Sequence, residues 1–138
     1  MPVKQKYIFK NKVSIGVNMT KLVLEWSDSH YYAVSNVENL VPGDAGVYQL
    51  FYIVANRPRV FYVGQADNLR RALLSHLSDT EPNICIRRSF WYYTCYFKFA
   101  GVTSQSERDG AERALYDHYK PLCNTVPPKG EPYDINFE

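Results

Sequence analysis

A small α/β layer of three strands with helices packed on them is the expectation for this chain, and two observations carry it. Runs rich in aromatic and β-branched residues, at 47–54, 60–63 and 92–99, are interleaved with stretches whose apolar residues recur at helical spacing. Those stretches are Leu69, Leu73 and Leu77, then Ala111, Ala114, Leu115, His118 and Tyr119. The composition provides the material for one core: 138 residues, 46% hydrophobic, with 12 Tyr, 7 Phe and 2 Trp. A chain of this length forms one ordinary domain and buries roughly 65–70% of its unfolded surface. A disordered chain is excluded by the same figures.

In chain order, residues 1–42 read as an N-terminal extension carrying Lys4, Lys6, Lys10, Lys12 and Lys21. Within it Val13, Ile15 and Val17 alternate with Ser14 and Gly16, and 22–26 also suits a strand. Pro42-Gly43-Asp44 is turn chemistry and marks the start of the main fold, residues 43–125. There 47–54 reads as a strand, Asn56-Arg57-Pro58 as a turn, and 60–63 as the returning strand, ended by Gly64. Asp67-Asn68 caps a helix over about 68–77. Residues 83–90 fit a short helix no better than a loop. In 92–99 one parity carries Tyr93, Cys95, Phe97 and Phe99 and the other Tyr92, Thr94, Tyr96 and Lys98, the mark of a strand with two distinct faces. A second helix over 106–119 stops at Pro121. The tail, 126–138, holds Pro127, Pro128 and Pro132 and reads as irregular.

A net charge of +2 neither requires nor excludes a polyanionic partner, because a local cluster can bind phosphate in a nearly neutral protein. Cys85, Cys95 and Cys123 are odd in number and show no CxxC or Cys/His spacing. Reduced thiols in the core of a cytoplasmic protein are therefore expected, with neither a zinc site nor a disulfide framework. No apolar run approaches the ~18 residues that span a bilayer. The opening MPVKQKYIFKNK lacks the apolar stretch of a signal peptide, so no membrane association is expected.

The residues that could carry chemistry are linked by order rather than by composition. Gly46-Val47-Tyr48 and Tyr62-Val63-Gly64 lie on the two strands of the hairpin, followed by the segment Gln65 to Leu73, then Glu112, then Pro121 and Asn124. In this arrangement the chain resembles the GIY-YIG endonuclease family over roughly residues 45–125, about 80 of the 138. Either tripeptide alone is a weak signal; the ordered set is specific.

The resemblance implies a small three-stranded, mainly antiparallel sheet flanked by helices (β-β-α-β-α), after the N-terminal extension. It also implies a metal-dependent endonuclease that hydrolyses phosphodiester bonds in DNA with one Mg²⁺ or Mn²⁺. A divalent ion held by one carboxylate and several waters offsets the charge that builds up at phosphorus. Glu112 is the implied metal ligand. Tyr48 is similar to the tyrosine that accepts a proton from, or orients, the attacking water. Since a phenol ordinarily titrates near 10, that role calls for a nearby cation. Tyr62 and His76 would hydrogen-bond the phosphate or the water. Gly46, Gly64 and Asn124 would be structural parts of the site.

One departure stands out. Eight positions after the second signature glycine the family carries an arginine that clamps the phosphate; here that position is Ala72. Alanine cannot supply the charge, and Arg71 and Arg70 are rotated about 100° and 200° around the helix. Three readings follow: Ala72 replaces a native arginine, the chain is a natural non-cleaving relative, or an arginine such as Arg71, Arg87 or Arg88 reaches the site. The otherwise intact site favours the first, with cleavage abolished or weakened in this chain. Gln65, where several members have lysine, is a second departure.

Arg57, Arg70, Arg71, Arg87 and Arg88 are the expected nucleic-acid contacts, the last two within a run that mixes cations with Phe90, Trp91, Tyr92 and Tyr93. One such site cuts one strand, so a double-strand cutter would work as a homo-oligomer or by successive nicks. The competing expectations are a non-catalytic nucleic-acid-binding module and a nuclease of structured RNA.

Overall fold

The computed structural model describes residues 19–138. The expected strand at 13–17 and the lysines at 4, 6, 10 and 12 lie outside the described residues. The elements are β1 (Lys21–Leu22), β2 (His30–Tyr31), α1 (Val34–Leu40), β3 (Gly46–Val54), β4 (Arg57–Ala66), α2 (Leu69–His76), α3 (Ile84–Tyr92), β5 (Cys95–Gly101), α4 (Gln105–Tyr119) and β6 (Asp134–Ile135). No helix among the described residues is long and apolar enough to cross a membrane.

The central hairpin is set by its turn. Ala55 and Asn56 both take positive φ, 51° and 63°, the backbone of a two-residue hairpin turn whose twist matches the flanking strands. The turn is therefore Ala55-Asn56, and β4 already begins at Arg57. Pro58 is tolerated inside it because β4 lies at the edge of the sheet, where a missing N–H costs no ladder bond.

The four-stranded sheet runs β2-β5-β3-β4 with every pair antiparallel. The short β2, absent from the sequence-based expectation, adds a fourth strand by pairing His30 with Phe97 and Tyr31 with Tyr96. The register of β3 with β4 shifts between Leu50 and Phe51, leaving Phe61 as the extra residue of a bulge. That bulge places Phe61 and Tyr62 against the same core, whereas strict alternation would send Tyr62 to the other face.

The sheet separates two apolar clusters. One, under α1, α2 and α3, contains Val37, Tyr48, Leu50, Phe61, Leu69, Leu73, Ile86 and Phe97. The other, under α4, contains Leu24, Val47, Val63, Ala100, Ala111, Leu115 and Ile135. Val47 and Tyr48 are neighbours in sequence and opposite in face, as a period of two requires.

Each long helix starts at a side-chain cap. The Asn68 side chain accepts from the backbone N–H of Arg71 at 3.0 Å, and Ser104 from that of Glu107 at 3.3 Å. Asn83 accepts from both Cys85 and Ile86, at 3.0 and 3.2 Å, which settles the ambiguous segment as α3 and delays β5 to Cys95. At its far end α4 closes with Lys120 in the left-handed region, φ 45°, followed by Pro121.

Two expectations are corrected here. Cys85 and Cys123 form a disulfide, and only Cys95 is a free, buried thiol. Spacing could not reveal this, because the bridge joins the start of α3 to the segment after α4, 38 residues apart. The tail is also more ordered than its prolines imply. Ile135 lies parallel to Leu22 in the β1-β6 pair, the Asn136 amide bonds Leu24 at both N–H and carbonyl, and Phe137 stacks on His118 with centroids 3.8 Å apart.

Candidate active site

The start of β3, the middle of β4 and the last turn of α2 bring three side chains together. The Tyr48 hydroxyl lies 2.8 Å from His76 Nε2. The Tyr62 ring is 6.2 Å from that of Tyr48 and 5.1 Å from the imidazole, centroid to centroid. The bulge described above makes this possible, since it turns Tyr62 to the Tyr48 side of the hairpin.

The glycines of the two tripeptides make room for this packing. A Cβ at Gly64 would lie 2.5 Å from the Tyr48 hydroxyl oxygen, and one at Gly46 would lie 2.2 Å from the carbonyl oxygen of Ala100 on β5. Both positions therefore exclude any side chain. Asn124 bonds the backbone of β4. Its amide accepts from the Val63 N–H at 2.9 Å and donates to the Val63 carbonyl at 2.8 Å, satisfying the backbone of β4 on its open side.

Behind His76 stands Glu81, a buried residue that sequence reasoning missed. Its carboxylate takes His76 Nδ1 at 2.5 Å and accepts the Asn83 N–H at 2.7 Å. A carboxylate on Nδ1 requires a hydrogen there, so in the neutral ring Nε2 is the acceptor and the Tyr48 O–H donates to it. The result is a Tyr48–His76–Glu81 chain. Glu81 sits in a loop without periodicity, and nothing in its sequence neighbourhood marks it.

Glu112 approaches from α4. Its Oε1 accepts from Gln65 Nε2 at 3.0 Å, and the same amide donates to Asp109 Oδ1 at 2.7 Å. Gln105 Nε2 closes the group, donating to Gln65 Oε1 and Asp109 Oδ1, both at 2.8 Å. Asp109 and Glu112 are three apart on α4 and share a face; Asp109 and Gln105 were also missed. Burial pushes the Glu112 carboxyl up, the Gln65 amide pulls it back, and the Asp109 charge raises it again.

No phenolate is stabilised at rest. Burial holds the Tyr48 phenol well above its ordinary value, and Tyr62, Tyr32 and Glu112 push the same way. Tyr62 is likewise raised by burial and by Glu112, then Glu81. Both phenols therefore feel the Glu112 charge, although α4 packs on the other face of the sheet. The cation expected beside Tyr48 is replaced by an imidazole acceptor.

The donor set fits a hard divalent cation. Glu112 is a half-buried carboxylate with no ion pair among the described residues, and Asp109 offers a second carboxylate on the same helix face. No group of three or more His, Cys, Asp and Glu side chains among the described residues could enclose an ion. A bound Mg²⁺ would keep most of its coordination as water, its ordinary habit.

The remaining predicted positions divide. Ala72 lies one turn before His76 on the same face of α2, half-buried against the apolar cluster beneath. The Arg70 Nε–H donates to the Val41 carbonyl at 2.8 Å, so its head group is committed to the loop before β3. Arg71 faces Asp67 at 3.7 Å on the exposed side of the helix. Arg57 sits beside the hairpin turn, paired with Val54, six residues along β3 from Tyr48 and roughly 20 Å away at strand rise. Arg87 shares a cavity with His76, while Arg88 lines a separate groove with Tyr52, Tyr92 and Leu122.

No family model matches the sequence, and no curated protein matches it. Solved structures do match. A tyrosine-to-phenylalanine point mutant of the GIY-YIG N-terminal endonuclease domain of UvrC from Thermotoga maritima, bound to its catalytic divalent cation, is 22% identical, with a TM-score of 0.52. The same domain bound to magnesium is 23% identical, with a TM-score of 0.51. Each covers 67% of this chain and 96% of its own.

Proposed function

We propose that this chain, which has the fold of the GIY-YIG endonuclease domains, belongs to that family and acts on phosphodiester bonds of nucleic acid, DNA in the first instance, with a divalent metal ion. The observation that carries the reading is the convergence of Tyr48, Tyr62 and His76 on one side of the sheet, with Glu112 joined through Gln65 to β4, the strand that carries Tyr62. A fold alone would not place these residue types together.

Glu112, with Asp109 beside it, would hold the cation, which supplies charge stabilisation at the phosphate when bound. His76 takes the proton of Tyr48, and Glu81 steadies the imidazolium that results. Tyr48 is thereby able to accept a proton from a water at its hydroxyl oxygen without needing a free phenolate at rest. Tyr62 donates its O–H toward the phosphate. Gln65 holds the two carboxylates of α4 in a fixed arrangement.

Ala72 leaves the phosphate without its clamp, so cleavage by this chain is weak or absent. The same residue favours a second reading, a nucleic-acid-binding module that retains the fold. An assay with magnesium on supercoiled plasmid and on structured RNA, comparing this chain with Ala72→Arg, decides between them. Cutting by the arginine form supports the nuclease; binding without cutting by either form supports the module.

A further inference from the structure

One face of α3 is turned to solvent. Ile84, Arg87, Arg88 and Trp91 recur there at helical spacing, and Trp91 is 62% exposed. Trp26 is different, with its indole N–H donating to the Asn136 carbonyl at 3.0 Å. The Arg87 guanidinium lies over the Trp91 ring, 5.6 Å from its centroid, making a flat cationic stack at the surface. A cavity of about 390 Å³ lies against this stack, with His76, Asp79, Arg87, Phe90 and Trp91 in its wall. His76, the residue bonded to Tyr48, thus belongs to both the phenol cluster and the wall of this cavity.

The wall selects the guest. Asp79 places a carboxylate in it, which repels a phosphate group. The indole offers a π-face, and the Arg87 charge suits the polyanion to which a base is attached. A planar ring with polar edges satisfies all three features.

We infer that this cavity is a base subsite, in which an unpaired nucleobase beside the scissile phosphate stacks on the Trp91–Arg87 pair. The inference rests on the nuclease reading above and narrows its substrate. A base inside continuous duplex has both faces covered by its neighbours, so only a single-stranded or extruded base can enter. Single-stranded, gapped or flapped nucleic acid is therefore preferred over uninterrupted duplex.

Titration of the full chain with a labelled single-stranded oligonucleotide, and with the duplex of the same sequence, tests this by anisotropy and by indole emission. The unmodified chain should bind the single strand more tightly and lose emission on binding. Trp91→Ala should weaken single-strand binding roughly 5- to 150-fold, as loss of one stacking platform does, and change duplex binding less than about twofold. Trp91→Phe should restore most of the loss, which separates stacking from general damage. Equal effects on both ligands, or none, would overturn the subsite and leave the nuclease reading standing, because the unmodified chain would still bind. Failure of the unmodified chain to bind either ligand would overturn both.

Discussion

The Tyr48 hydroxyl donates to His76 Nε2 at 2.8 Å, and the other nitrogen of that ring is held by Glu81. A buried phenol with a raised pKa is a poor base on its own, and the imidazole behind it provides a route for its proton. Tyr48→Phe removes only the hydroxyl. In an Ala72→Arg background, cleavage should fall about 10²- to 10⁴-fold, the usual size of a general-base contribution. Oligonucleotide binding should be unchanged within about twofold. Wild-type cutting by the Phe variant would remove Tyr48 from the chemistry.

Ala72→Arg alone should raise magnesium-dependent nicking of plasmid by about 10²-fold or more, the scale of a lost charge-stabilising donor. The position faces the same way as His76, one turn earlier, so the added guanidinium enters the phenol cluster. A rate no different from that of the alanine form would show that the missing arginine is not what limits this chain.

The chemistry-bearing residues were legible to different degrees, for physical reasons. Tyr48, Tyr62 and Glu112 could be read because their order along the chain is distinctive. That Tyr62 faces Tyr48 could not, since it depends on the bulge at Phe61, which shifts strand parity by one and leaves no local sequence mark. Glu81 was invisible because a loop carboxylate has no period to betray it. The three long strands, α2 and α4 followed from alternation, apolar spacing and the Asn68 cap, whereas the short β2 and β6 did not. The hairpin turn was read to end two residues too late because Pro58 looks like a turn residue, yet an edge strand accepts it.

Burial raises the Glu112 carboxyl from its ordinary value. Its folded pKa then exceeds its unfolded one, so the folded state binds more protons across that interval. This group's contribution to stability declines as pH rises through it. Glu112→Gln should therefore melt higher relative to wild type at about pH 7 than at about pH 4. By calorimetry the same variant should lose magnesium binding. Since the ligand form is the carboxylate, wild-type affinity for the ion should increase as pH climbs through the same window. Unaltered magnesium binding by the Gln variant would place the metal elsewhere.

Asn124 satisfies both backbone groups of Val63 with one amide. Asn124→Ala strands an N–H and a carbonyl at the open side of β4, a loss of about 2 kcal/mol. Urea denaturation should report a lower midpoint with an unchanged slope. A midpoint equal to that of wild type would mean that water replaces the amide without cost.

The Cys85–Cys123 bridge makes a thiol count decisive. Denatured protein without reductant should expose one reactive sulfur, that of Cys95, and three after reduction. Replacing both bridged cysteines with serine should cost about 4 kcal/mol by the loop-closure relation for a 38-residue separation.

That bridge also ties a covalent ring through the polypeptide. Most of α3, all of β5 and all of α4 travel inside the ring, Glu112 among them, while Tyr48, Tyr62 and His76 on the hairpin and α2 stay outside. A protease that nicks the backbone anywhere between 86 and 122 would therefore release no fragment. Acid and phenol partners would remain on one molecule, and after a nick on the N-terminal side of Glu112 their separation on a gel would wait for a reducing agent.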